Sequence, residues 1–191
     1  LICISNTVKI DVENWFKENI NLVKKPPRLE FFHLGSDIKP NLLSQDVDNN
    51  FLPLVKQISK KTSFLVVGTI EPRKGHQMIL NAFNSLWTKG IDVNLVFVGK
   101  QGWKIEKLVS NIKKHYLLNK NLFWFNKLED KNLETIYENS SSLLLLSMEE
   151  GFGLPLVEAA NKNLPIIASN IPVFKEICGK NAYYIDISVD N

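Results

Sequence analysis

Two stretches of this sequence combine glycine, cations and carboxylates at spacings suited to ligand chemistry. The first, Gly68-Thr69-Ile70-Glu71-Pro72-Arg73-Lys74-Gly75-His76, follows a short apolar run. Gly68 lets the backbone turn with no side chain in the way. Arg73 and Lys74 then stand together at the entrance to a helical pattern. Two adjacent cations beside backbone N–H groups at a helix N-terminus form a clamp for a diphosphate. The same pair also reads as a solvated cap on a surface turn. The second stretch is Glu149-Glu150-Gly151-Phe152-Gly153-Leu154-Pro155-Leu156-Val157-Glu158-Ala159. Gly151 and Gly153 bring backbone close to whatever lies above them, and Pro155 suits a first helical position, where its missing N–H costs nothing. Glu150 on the loop and Glu158 one turn into the helix can face one cleft, each offering two acceptor oxygens to hydroxyl groups. Without any ligand, both carboxylates would still favour the helix dipole.

Loops of this kind need a scaffold that aims them. From residue 62 onward, apolar runs alternate with helical patterns. The spacing predicts strands at Ser63–Val67, Val93–Val98, Leu122–Phe125, Leu143–Leu146, Pro165–Ala168 and Ala182–Ile185. Most are continuously apolar, as strands covered on both faces are. Helical periodicity falls between them at Gln77–Lys89, Ile105–Tyr116, Asn132–Asn139, Leu156–Asn161 and Val173–Ile177. This alternation predicts an α/β fold with a doubly wound parallel sheet, in which ligands sit beyond the carboxyl ends of the strands. Both chemical stretches follow such strands.

The beginning reads differently. Leu1–Ile4 reads as a buried strand, followed by a helix containing Val8, Val12, Trp15 and Phe16 and a strand-like Arg28–Leu34. Nothing in this part closes a second core; the residues give a first segment over 1–38, a polar linker over 39–60 and the sheet domain over 61–191.

The composition is that of an ordinary globular protein, 45% hydrophobic and 23% charged over 191 residues, with a formal charge of +3. That mild excess suits an anionic small molecule without demanding nucleic acid. Apolar runs such as Leu143–Leu146 are far too short to span a bilayer. Cys3 and Cys178 make neither a disulfide framework nor a metal spacing. No signal peptide is read at the start, and a cytoplasmic setting is the default.

The run Glu150 to Glu158, two glutamates separated by seven residues, resembles the motif of retaining GT-B glycosyltransferases of group 1. Gly68 through Gly75 is similar to that family's diphosphate loop, and the two loops stand in the family's order. The resemblance covers roughly residues 60–187, and Ile2–Asp37 resembles the family's passage from its first domain into the second. It implies the C-terminal, donor-binding domain of a GT-B fold, with residues 1–38 a remnant of the N-terminal acceptor domain's end and crossover. Arg73 and Lys74 would then hold the donor diphosphate, Glu158 the ribose hydroxyls, and Glu150 would lie near the transferred sugar. Gly68 and the backbone of Gly151, Phe152, Gly153 and Leu154 would contact sugar and phosphate. Gly99, Lys100, Lys127 and Leu128 fall where the base is usually held. The implied catalytic set is Glu150, Arg73 and Lys74, with no cofactor and no metal. The loop residues also look like those of bacterial mannosyltransferases of surface-polysaccharide assembly, which implies GDP-mannose as donor. The acceptor would be a glycan or lipid-linked sugar, met through the N-terminal domain. Nucleic acid is not an expected partner, and peripheral association at the inner face of the membrane fits such acceptors. Without the first domain, this part alone is expected to turn over poorly.

Two other classes share the scaffold: a nucleotide-binding module without chemistry, and a sugar-nucleotide epimerase. The Glu150/Glu158 pair speaks against both. Asp46-Val47-Asp48 has the form of a metal–diphosphate motif but sits in a polar stretch with no strand to aim it. No Gly-x-Gly-x-x-Gly follows a strand and no P-loop occurs, which argues against nicotinamide dinucleotide and P-loop nucleotide enzymes. His76 can cap, pack or touch phosphate. His115 reads as part of a solvated helix face, and Trp103 beside Gly102 is placed to stack on a ligand.

Overall fold

The computed structural model describes residues 1–23, 25–35 and 51–187. The chain opens with β1 (Ile2–Cys3), α1 (Asn6–Glu18) and β2 (Glu30–Phe31), followed by α2 (Phe51–Ser59). Then come β3 (Ser63–Val67), α3 (His76–Thr88), β4 (Asn94–Val98), α4 (Glu106–Lys113), β5 (Leu122–Phe125) and α5 (Asp130–Glu138). The last elements are β6 (Ser142–Leu145), α6 (Leu154–Asn161), β7 (Ile166–Ser169), α7 (Pro172–Cys178) and β8 (Tyr183–Ile185). Every strand run and helix predicted from residue 62 onward has its counterpart, shifted by a few residues at the ends.

The main sheet runs β5-β4-β3-β6-β7-β8, with every pair parallel. Right-handed crossovers put α3 and α4 on one face and α6 and α7 on the other. Alternate strand residues therefore enter different cores. Leu65 packs with residues of α2, α5, α6 and α7, whereas Val66 packs with Ile79, Leu80 and Phe83 of α3 and Ile112 of α4. Asn94 is buried, and its Nδ2 donates to Ser63 Oγ at 3.0 Å, a polar link between the central strands. At the edge, β8 leaves Tyr183 exposed.

Strand order reverses between β3 and β6. The chain proceeds outward from β3 to β5, then returns to β6 and proceeds outward the other way. The loops after β3 and β6 diverge there and open a crevice at the carboxyl ends of the strands. Those are the two loops that carry the unusual residues.

The expectations for the first sixty residues need correction. Residues 51–59, placed in the linker, form α2. Phe51, Val55 and Ile58 recur at helical spacing and are buried in the core beneath α5 and α6. Pro53 sits in the first turn, where its lack of an N–H leaves no intrahelical bond unmade. The Asp46–Asp48 motif and residues 39–50 of the linker lie outside the described residues. Leu1–Ile4 is no buried strand either: Cys3 is buried, but Leu1 and Ile2 are largely exposed. The Arg28–Leu34 strand shrinks to Glu30–Phe31, which pairs in parallel with β1.

Candidate active site

A cleft of about 580 Å³ opens over the strand-order reversal. Its lining includes Gly68, Arg73, Lys74, Glu150, Gly151, Phe152, Gly153, Leu154 and Glu158. These are the nine residues expected to bind the donor, drawn from two loops far apart in sequence.

Local backbone rules build each wall. After β3 the chain turns at Gly68, whose N–H donates to Val98 O at 2.9 Å, and Ile70 N–H donates to Lys100 O at 2.8 Å. The two neighbouring loops are thus zipped together. A Cβ on Gly99 would lie 1.9 Å from Gly68 O, so only glycine permits the approach. Pro72–Lys74 forms one turn of 3-10 helix that ends at Gly75, and α3 begins there. Arg73 and Lys74 therefore stand on that short turn rather than on α3. On the other wall, Gly153 adopts φ +97° at the N-cap of α6, a left-handed conformation that disfavours any other residue. Helix α6 starts at Leu154, which puts Pro155 at its second position rather than its first. No side chain caps this N-terminus; Pro155 has no N–H and Leu156 N–H donates to Gly153 O at 2.9 Å, which leaves the positive end of the helix dipole beside the cleft that Gly153, Leu154 and Pro155 line.

The charged groups are already engaged with one another. Glu150 accepts from Lys74 Nζ, from Ser147 Oγ at 2.9 Å, and lies 3.2 Å from Arg73 Nη1. Arg73 also donates to Glu71 at 2.6 Å and to the backbone oxygen of Glu149. Burial would raise the Glu150 carboxyl, but Lys74, Ser147 and Arg73 together hold it below the usual carboxylate range. Glu158 behaves oppositely. Burial pushes it up, a hydrogen bond from Tyr137 opposes that, and the charge of Asp130 adds to the rise. Tyr137 Oη donates to Glu158 Oε2 at 2.6 Å.

The four expected base-holding residues do not line this cleft. Gly99 and Lys100 act through backbone contacts to the Gly68 loop. Lys127 and Leu128 line a separate cavity of about 420 Å³ beside Phe51 and Trp124. Trp103 stays half exposed outside the cleft, with Lys104 Nζ 5.5 Å from its ring centroid. His76 packs edge-on against Phe97, and burial, aided by the charge of Lys74, lowers its pKa to about 4 and keeps it neutral. His115 is not on a solvated helix face: α4 ends at Lys113, and His115 Nε2 lies 2.9 Å from Asn84 Oδ1.

Leu133, Tyr137 and Glu176 contribute to the site without any local signal in the sequence. Leu133 of α5 lines the cleft beside Glu158. Glu176 of α7 ties the N-terminal segment to the site. It accepts from Asn6 N–H and Thr7 N–H, both at 2.7 Å, and from Thr7 Oγ1 at 2.6 Å, capping α1. His33 Nε2 lies 2.7 Å from the same carboxylate, and the His33 ring rests against Phe152. Ser5 Oγ donates to Gly151 O at 2.8 Å. The N-terminal segment therefore buttresses the glycine-rich loop. No local pattern could have announced Glu176, because its partners lie more than a hundred residues away in the chain. A second cavity of about 620 Å³, between Thr7, Asp11 and Pro172, shares Arg73, Glu150 and Gly151 with the cleft.

A doubly wound sheet with a cation pair and two carboxylates converging at its strand-order reversal forms a polar cleft where such sheets bind ligands. Residues 52–188 match the family described as glycosyl transferases group 1, and the chain belongs to that family. It is 45% identical over 186 residues to the serotype-specific mannosyltransferase WbdA of Escherichia coli, covering 96% of this chain and 23% of that protein. To the O-antigen chain mannosyltransferase RfbU of Salmonella typhimurium it is 27% identical over 135 residues, covering 69% and 36%. The chain thus spans about a quarter to a third of these relatives. Among solved structures, WaaG, a glycosyltransferase involved in lipopolysaccharide biosynthesis, superposes with a TM-score of 0.68 at 19% identity, covering 97% of this chain and 49% of that one. That likeness shows the fold: the doubly wound sheet expected as one half of a GT-B architecture. Among the described residues, no helix is long and apolar enough to cross a membrane.

Proposed function

We propose that this chain is the donor-binding part of a retaining hexosyltransferase that uses a nucleoside diphosphate-sugar. The observation that carries the reading is the convergence of Arg73, Lys74, Glu150 and Glu158 on one cleft at the sheet's strand-order reversal. Arg73, Lys74 and the uncapped N-terminus of α6 neutralise the diphosphate as it departs with the anomeric bond's electrons. Glu158 accepts hydrogen bonds from the ribose. Glu150, ionised and held by the two cations, faces the transferred sugar and stabilises positive charge developing at its anomeric carbon. No cofactor and no metal enter this scheme.

Mannose is the proposed sugar and GDP-mannose the proposed donor, supported by the mannosyltransferase names of both relatives. The acceptor, a glycan or lipid-linked sugar of a surface polysaccharide, meets the donor beside Arg73 and Glu150, where the second cavity adjoins the cleft. Further residues from a preceding domain complete that side. A transfer assay on the full-length protein with GDP-mannose and a mannosylated acceptor tests the scheme. Release of GDP with an α-linked product, read by the anomeric proton, is the expected result. A β-linked product would overturn retention, and transfer only from UDP-sugars would overturn the donor.

A further inference from the structure

We propose that Tyr137 is a positioning residue for the ribose-binding carboxylate, an inference that rests on the donor-site reading above. Its phenol is locked in place by the core: Tyr137 is only 1% exposed. A buried ring of that size cannot swing, so its O–H points along one direction, to Glu158 Oε2 at 2.6 Å. A carboxylate has two oxygens. Tyr137 occupies one, which leaves Oε1 for a ligand in the cleft that Glu158 lines.

The rest of α5 supports this placement. Asp130, Leu133 and Tyr137 fall at spacings of three and four, which places them along one helical face. Leu133 lines the cleft, and Asp130 lies close enough for its charge to act on Glu158. Burial and Asp130 both favour a protonated Glu158, and the Tyr137 hydrogen bond opposes them. A free glutamate would also have to give up rotamer freedom each time it met a ribose. With Tyr137 holding one oxygen, that ordering is already done, and binding is correspondingly tighter.

The role is tested by calorimetric titration of the full-length protein and its Tyr137→Phe, Glu158→Gln and doubly substituted variants. The probes are GDP, UDP and ADP, then the 2′,3′-dideoxy form of whichever binds tightest. Phenylalanine keeps the ring and its packing, and unchanged melting temperatures verify that. The expected result is an affinity loss of about three- to tenfold for the ribonucleotide in Tyr137→Phe, the scale of one hydrogen bond weakened by misplacement. The dideoxy form should lose nothing, and Tyr137→Phe should add nothing in the Glu158→Gln background. If Glu158→Gln discriminates ribose but Tyr137→Phe affects both nucleotides alike or neither, the positioning role is overturned and the donor site stands. If Glu158→Gln does not discriminate, the ribose assignment itself fails, and the role of Tyr137 with it.

Discussion

The Glu150 carboxylate accepts from Lys74 Nζ and lies 3.2 Å from Arg73 Nη1, so the cleft holds its anion and its two cations in one cluster. A diphosphate entering the cleft meets cations already partly neutralised. Removing the Glu150 charge should therefore strengthen binding of a nucleoside diphosphate alone, by about threefold on the scale of partly exposed charge interactions. Turnover should fall if, as proposed, the same carboxylate stabilises the developing sugar cation. Titration with GDP and a transfer assay on Glu150→Gln check both halves. Weaker GDP binding would mean that Glu150 supports the nucleotide rather than competing for its cations.

Glu176 should act on stability with a defined pH dependence. Burial opposes its ionisation, yet hydrogen bonds from Thr7, His33 and Asn6 hold its pKa at about 2, below the ordinary 4.5. A depressed folded value contributes stability above the unfolded value and loses it as pH falls through the folded one. Glu176→Ala should cost about 1–2 kcal/mol at neutral pH, the usual cost of a lost helix cap. The gap from wild type should narrow between pH 4.5 and about 2. Urea unfolding at pH 7 and at pH 3 measures it.

Gly99→Ala should be among the most damaging single-methyl additions. Its Cβ would lie 1.9 Å from Gly68 O, a backbone atom that cannot rotate away. Separating the two loops would cost about 3 kcal/mol, toward the top of the overpacking range. The Gly68 turn should shift with them. A lower unfolding midpoint accompanied by weaker nucleotide binding is the expected pair of results.

Phe51→Ala should destabilise by about 3–5 kcal/mol, as removal of a buried aromatic does. Phe51 is buried against Phe125 beneath the sheet, which makes α2 part of the core. A loss below about 1 kcal/mol, the surface level, would return residues 51–59 to the status of a linker.

The sheet was legible because each strand is a short apolar run and each helix shows its own period, both set by neighbours a few residues away. The two loops could be read for the same reason: their glycines and charges are contiguous. Helix α2 escaped because Pro53 and the polar stretch before it masked the spacing of Phe51, Val55 and Ile58. Glu176 and Tyr137 escaped for a different reason. Each acts through hydrogen bonds to residues outside its own helix, and a lone Glu or Tyr in a helical pattern carries no mark of its partners. The pairing of Glu150 with the cations was hidden likewise, since Lys74 and Glu150 are 76 residues apart.

On the proposed reading, this cleft holds the diphosphate and ribose of a nucleotide-sugar. Titrating the full-length protein with GDP and GDP-mannose, beside its Lys74→Ala and Glu158→Ala variants, tests it most directly. The wild type should bind both, and Lys74→Ala should weaken binding about tenfold or more, the scale of a lost charge-assisted hydrogen bond. Glu158→Ala should weaken it too, by less. Wild-type binding that neither substitution disturbs would place the nucleotide elsewhere and overturn the donor-site assignment.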